Sequence, residues 1–273
     1  MSNIRTVRSV EEMIRFLIAK GGNHLNYYHY TTWDSVEKIV NNGTFLLTRG
    51  NATSINDQHE AIMKGSWQEW NKTYIGSFSY GESEIMAMWG LYGIPWEDAI
   101  RICIPRKQMI WWLSSINSVG IWQGNKVIAH TELFEKALTD VVYVSGQSEN
   151  KNMRLTRAGE SISTASIPGL HGIDQDPRMT GFIKNYSWQY ENEVRLRIHL
   201  HQSDGSEKIC IKIPDEVVRS MSFTTGPSFI RKDSTLYNEL SQSGRIIESG
   251  FRNMVKYRSI CSLCEHDSFV KKS

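Results

Sequence analysis

Three short polar clusters interrupt segments that otherwise read as β-strands: His29-Tyr30-Thr31, Ser77-Phe78-Ser79-Tyr80 and Glu191-Asn192-Glu193-Val194-Arg195. Taken singly, each has a plain structural explanation: a hydrogen-bonded core histidine, a pair of solvent-facing hydroxyls at a strand end, and an ion-paired strand face. Strands from distant parts of a chain can converge on one cleft. The combination of an imidazole, hydroxyls and two carboxylates in strand-like segments therefore asks for a shared explanation. Glu191 and Glu193 are two residues apart, which on a strand puts both side chains on one face, and Arg195 continues that face. Arg195 either holds Glu193 ionised or forms a structural ion pair with it; the structural role is the favoured expectation.

Other candidate chemistry is weaker. Asn56, Asp57 and Glu60 sit in a loop ahead of a helix, where Asn-Asp is a capping sequence, and capping is preferred to ligand contact. Cys261 and Cys264 form a C-x-x-C with His266 behind them, but a structural zinc site wants a second ligand pair, which is missing. Cys103 and Cys210 lie in apolar strand-like runs and read as small buried hydrophobes. No Gly-x-Gly-x-x-Gly and no Walker sequence occurs, so Rossmann and P-loop modes of nucleotide binding are unsupported.

The elements that must position these residues follow from periodicity. Apolar residues at Val10, Met13, Ile14, Leu17 and Ile18 predict an amphipathic helix over about 8–20, closed by Gly21 and Gly22. LNYYHY predicts a buried strand, and Val36, Ile39 and Val40 a helix stopped at Asn41-Asn42-Gly43. Then come a strand at 45–48, a helix from Glu60 to Trp70, a strand at 73–80 and a helix over Ser83 to Tyr92 whose Met86, Met88, Trp89 and Tyr92 are expected in the core. AIRICIP reads as a strand and KQMIWWLSSI as a helix. A strand over Val141 to Ser145 precedes a long irregular stretch, 146–177, which suits a lid or a partner-binding segment. WQYENEVRLRIHL alternates as a strand with one polar face; KICIKIP, SMSFTTG and GRIIESG are further strands, with a helix over Thr235 to Ser241. The expected class is α+β with a mixed or antiparallel sheet, in one domain spanning 1–273 and ending in a basic extension over about 245–273.

The 31 basic and 29 acidic residues leave a net charge of +2, which argues against function by bulk attraction to nucleic acid or anionic membrane. Basic residues do concentrate in 151–157 and 245–273. Apolar runs fall far short of the ~20 residues that span a bilayer, and the charged N-terminal helix is no signal peptide. A cytoplasmic protein without a membrane partner is expected.

The strings YHYTTWDSVEKIVNNGTFLLT, SINDQHE, SFSYGESEIMAMWGLYG and WQYENEVRLR, in that order over Tyr27 to Arg197, resemble the bacterial domain family DUF2971. Gln58 departs from that family's proline, and the 173–180 region has no counterpart. The family pattern is in turn similar to the ADP-ribosyltransferase fold, whose split sheet binds NAD. The resemblance implies an NAD-dependent mono-ADP-ribosyltransferase, a toxin or phage-defence effector that modifies a nucleic acid, RNA included, or a protein, with an antitoxin as a further partner. It implies Glu193 as the catalytic carboxylate, with Glu191 beside the acceptor. His29, Tyr30, Thr31, Ser77, Ser79, Tyr80, Trp89 and Asn56 would contact NAD. A neutral histidine gives one hydrogen bond and accepts another, which suits the ribose diol. Glu193→Gln is then expected to abolish activity and leave the fold intact. The alternatives are an NAD glycohydrolase using the same cleft and an inactive nucleotide- or RNA-binding module.

Overall fold

A computed structural model describes residues 4–18, 23–50, 67–145, 154–158, 160–164, 181–202 and 205–252. The strands are β1 (Arg5–Val7), β2 (Asn26–Thr32), β3 (Thr44–Arg49), β4 (Thr73–Ser79), β5 (Ala99–Pro105), β6 (Ser118–Gln123), β7 (Lys126–Asp140), β8 (Val142–Ser145), β9 (Arg154–Arg157), β10 (Glu160–Thr164), β11 (Ile183–Asn185), β12 (Glu193–Leu200), β13 (Lys208–Lys212), β14 (Ser222–Thr225) and β15 (Ile246–Glu248). The helices are α1 (Val10–Ile18), α2 (Trp33–Asn42), α3 (Trp67–Trp70), α4 (Met86–Tyr92), α5 (Arg106–Ser115), α6 (Asp215–Ser220) and α7 (Thr235–Gln242). The mixed α and β class expected from the sequence is therefore present, with sheet dominating. No described helix is long and apolar enough to cross a membrane.

The larger sheet contains a closed ring. β12 pairs with β7, β7 with β6, β6 with β13, β13 with β3 and β3 with β4, and β4 returns to β12, every pair antiparallel. Closure removes edges that would otherwise stay unpaired. Register sorts the side chains of β4 and β12 onto two faces. Val194, Leu196 and Ile198 lie opposite Phe78, Gly76 and Tyr74, and these apolar residues of both strands join the principal core with Phe45, Leu47, Ile209 and Ile211. On the other face Glu193, Arg195, Arg197 and His199 lie opposite Ser79, Ser77, Ile75 and Thr73.

From this barrel a flap of β2, β5, β14 and β15 branches off through one residue pair, Tyr28 opposite Ser79. β4 thus has β3 as its neighbour at Tyr74 and Ile75 and β2 as its neighbour at Ser79, so the sheet forks across residues 76–78. Gly76 is required at the fork, because a Cβ there would come within 2.5 Å of the Leu47 side chain and 3.0 Å of Phe45. A smaller sheet, in the order β1-β10-β9-β8-β11, packs Val7, Val142, Leu155 and Ile162 around Met13 and Phe16 of α1.

Several local expectations match. α2 buries Trp33, Val36 and Ile39 and ends at Gly43, whose φ of 58° suits glycine and whose N–H donates to the Ile39 carbonyl at 3.0 Å. Others are corrected. Within the stretch read as irregular, 154–157 and 160–164 are paired strands, and the remainder of 146–177 apart from Ala158 lies outside the described residues. So do Glu60, most of the helix expected after it, and the Cys261-Cys264-His266 group. The long β6–β7 hairpin was not anticipated. The strand expected from Trp188 onward starts only at Glu193. Residues Tyr186–Glu191 form a 3-10 helix, and Asn192 turns the chain with φ 46° and ψ 53°. The polar face of β12 is buried: Glu193, Arg195 and Arg197 are at most 3% exposed. The returning segment covers them, with the Gly181 carbonyl accepting from Arg195 Nη1 at 2.7 Å and the Phe182 ring 4.3 Å from the Arg197 guanidinium.

Candidate functional site

The fork between β2 and β4 opens a cleft of about 370 Å³. Its floor is the outer face of β3 and β4 at Leu46, Thr48, Ile75 and Ser77. One wall is β2 at Tyr28, His29 and Tyr30, the roof is α4 at Met88, Leu91 and Tyr92, and the far end holds Lys184, Glu191, Glu193 and Arg195.

His29 spans the fork where a ladder hydrogen bond would otherwise run. Its Nδ1 lies 2.9 Å from the Ser77 carbonyl, which can only accept, so the proton sits on Nδ1 and the lone pair on Nε2. The ring contacts the edges of Phe45 and Phe78 at 4.9 and 5.5 Å. Burial lowers its pKa, against the opposing pull of the Ser77 carbonyl, and keeps it neutral. Tyr30 fixes the roof: its hydroxyl accepts from the Ile85 N–H at 3.1 Å, and its ring meets Trp89 edge-on at 4.9 Å. Trp89, on α4, is fully buried and donates to Glu84 at 3.1 Å.

At the far end four buried charges meet. Arg195 holds Glu193 with Nε at 2.7 Å and Nη2 at 3.0 Å, Lys184 Nζ adds a contact at 3.2 Å, and the Ser77 hydroxyl bonds the same carboxylate. Lys184 Nζ also lies 2.5 Å from Glu191, whose second oxygen accepts from the Tyr92 hydroxyl at 2.8 Å. The Glu193 N–H donates to Tyr143 at 2.8 Å. Burial would raise the Glu193 pKa, but Arg195 and then Lys184 outweigh it and depress the carboxyl to about 2. Glu191 moves the other way: burial, and next the charge of Glu193, push it up against the pull of Lys184 and Tyr92. Two carboxyl groups driven apart in this way are chemically distinct: one suits a fixed negative charge and the other the exchange of a proton.

Of the residues expected to act together, the fold brings His29, Tyr30, Ser77, Glu191 and Glu193 to one cleft. It places others elsewhere. Thr31 is buried away from the cleft lining, and Ser79 is buried with its hydroxyl 3.5 Å from the Tyr28 carbonyl. Tyr80 stacks on His24 at 4.1 Å, with its hydroxyl pushed up to about 12 chiefly by burial. Asn56 lies outside the described residues. Glu191 reaches the cluster by a route other than strand alternation. It ends the 3-10 helix, and the left-handed Asn192 turns the chain into β12. Asn192→Ala is therefore expected to destabilise the fold by about 1–2 kcal/mol, and Asn192→Gly by less, in urea denaturation, since alanine disfavours that conformation.

Sequence reasoning missed Lys184, which lies in a three-residue strand without a pattern, and assigned Tyr92 to the core. Among the described residues no group of three or more His, Cys, Asp or Glu is placed to hold a metal ion. Burial is the main influence raising the thiol pKa of Cys103 and of Cys210, as suits unreactive side chains. Comparison with protein-family models, curated proteins and solved structures finds no match.

Proposed function

We propose that the chain is an NAD-dependent ADP-ribosyltransferase that works in this cleft. The observation that carries the reading is the convergence of His29, Ser77, Glu191 and Glu193, from segments far apart in sequence, around one cavity lined by aromatic rings. Breaking the bond between ribose C1′ and nicotinamide sends the electron pair out with the neutral base and leaves an oxocarbenium-like sugar. Glu193, ionised at neutral pH, stabilises that charge. The His29 Nε2 lone pair accepts from a ribose hydroxyl, and the Ser77 hydroxyl fixes the Glu193 carboxylate. As the acceptor oxygen or nitrogen bonds C1′, its proton passes to Glu191. A pure anion-binding module fits less well, because the two cations at the end of the cleft, Lys184 and Arg195, are both engaged by carboxylates.

The test is incubation with NAD labelled in its adenylate and with cell lysate, followed by separate nuclease and protease digestion. Label that survives one digestion and is released by the other names the acceptor as nucleic acid or protein. Free ADP-ribose with unlabelled macromolecules would instead assign a glycohydrolase, with water in the acceptor's place. No nicotinamide release under any condition would overturn the reading. Glu191→Gln should lower transfer by about 10²-fold or more. It should destabilise the chain less than Glu193→Gln does, since Lys184 keeps Glu193 as its charged partner and glutamine still accepts from Tyr92.

A further inference from the structure

Lys184 belongs to β11, an outer strand of the smaller sheet paired in parallel with β8, yet its ammonium group lies in the cleft of the larger one. It is 4% exposed, and the Trp188 ring lies 4.8 Å from its Nζ. The same nitrogen touches both carboxylates, Glu191 at 2.5 Å and Glu193 at 3.2 Å. Glu193 has a guanidinium of its own in Arg195. Glu191 is bonded otherwise to a neutral hydroxyl, that of Tyr92.

We propose that Lys184 is a positioning residue for the transfer reaction: it seats the Glu191 carboxylate beside Glu193 as a proton acceptor, and so makes the smaller sheet part of the catalytic apparatus. This rests on the reading of the cleft as an ADP-ribosyltransferase site. Two carboxylates buried side by side repel, and one of them takes up a proton unless a cation lies between them. Among the described residues, the titratable groups that interact with Glu191 are Lys184 from β11, Tyr92 from α4, Glu193 from β12, Tyr143 from β8 and Tyr190 on its own helix. Of these Lys184 alone is a cation. Its removal strips Glu191 of its charged partner and leaves Glu193 with Arg195. Burial and Glu193 already push Glu191 up, and Lys184 leads the groups that pull it back. A lysine suits the task, because a compact ammonium with three donors reaches two carboxylates and an aromatic face at once.

The experiment pairs kinetics with a readout that needs no turnover. In Lys184→Met the acid limb of the pH profile of kcat should move up by about one unit or more, so that kcat on the acid side of the limb falls about tenfold or more and recovers as the pH is raised. KM for NAD should change little. Lys184→Arg should restore most of the profile, and Tyr92→Phe should shift the limb the same way by less. The Glu191 carboxyl is followed in parallel by 13C NMR titration of the full chain, its resonance assigned by its absence in Glu191→Gln. An upward move of that titration in Lys184→Met, or in Tyr92→Phe if the first variant fails to fold, supports the proposal even when no NAD is consumed, a result that would sink the functional reading alone. An unchanged Glu191 titration, or activity lowered equally at every pH, overturns it.

Discussion

Glu193→Gln is expected to cost about 3–5 kcal/mol of folding stability at neutral pH, in addition to removing NAD cleavage by about 10³-fold or more. The expectation that this variant would leave the fold intact does not survive the geometry of the site. Glu193 is 3% exposed and receives Arg195 through two nitrogens and Lys184 through a third. A glutamine keeps one acceptor oxygen but turns an amide donor toward these donors, and it strands positive charge in a buried site. The pH dependence carries a definite sign. A carboxyl depressed from 4.5 to about 2 contributes stability that is present above pH 4.5 and is lost as the pH falls through about 2. Glu191, shifted upward, contributes stability below 4.5 that is lost as the pH rises through its raised value. The gap between the parent chain and Glu193→Gln in urea midpoint should therefore be widest near neutrality and narrow between pH 5 and pH 2. A gap independent of pH would mean that the loss comes from packing rather than from the charge. Because folding and chemistry fall together in this variant, Glu191→Gln and Ser77→Ala are the changes that isolate chemistry.

The outcome for Glu193 shows what local patterns can and cannot carry. The aromatic strand with His29, the Ser77 strand and the Gly43 helix stop were legible because each is written in consecutive residues: alternation on a strand and a left-handed position that only glycine takes without strain. The alternation of β12 was legible too, and so was the pairing of Arg195 with Glu193. Acidic and basic residues at every second position mark a polar face but not its burial, which comes from Gly181, Phe182 and Lys184 folding back across it from the segment just upstream. Burial of that face is a tertiary fact. The break at Asn192 was invisible because asparagine enters the left-handed region without the signature of glycine or proline. The β6–β7 hairpin escaped for another reason. Much of β7 is exposed on both faces, including Val127, Ile128 and Phe134, so no apolar stripe marks it as a strand. Lys184 carries no local signal at all, since its role depends on the register of β11 against β8.

Phe78→Ala is expected to destabilise the chain by about 3–5 kcal/mol, the range for an aromatic truncated in a close-packed core. Phe78 is 2% exposed, stacks on Phe45 at 5.6 Å, meets Trp112 edge-on at 6.4 Å and lies opposite Val194 inside the barrel. It also supports the site from behind, because the His29 ring rests against it while the His29 Nδ1 hydrogen binds the carbonyl of the adjacent Ser77. The cavity left by truncation therefore loosens the imidazole as well as the core. The activity that survives in folded molecules should show a higher KM for NAD, beyond the loss explained by the unfolded fraction. Phe78→Leu, which refills most of the space, should recover most of both. Ser77, one residue earlier on β4, points the opposite way into the cleft. Ser77→Ala should move the urea midpoint by no more than about 0.5–1 kcal/mol, as for an exposed position, while lowering turnover through the lost hydrogen bond to Glu193. The two neighbours thus form a single test of the strand's orientation. If Ser77→Ala proved as destabilising as Phe78→Ala, the register that puts Phe78 opposite Val194 and Ser77 opposite Arg195 would be one residue out, and every side chain assigned to the cleft from β4 would belong to the core instead.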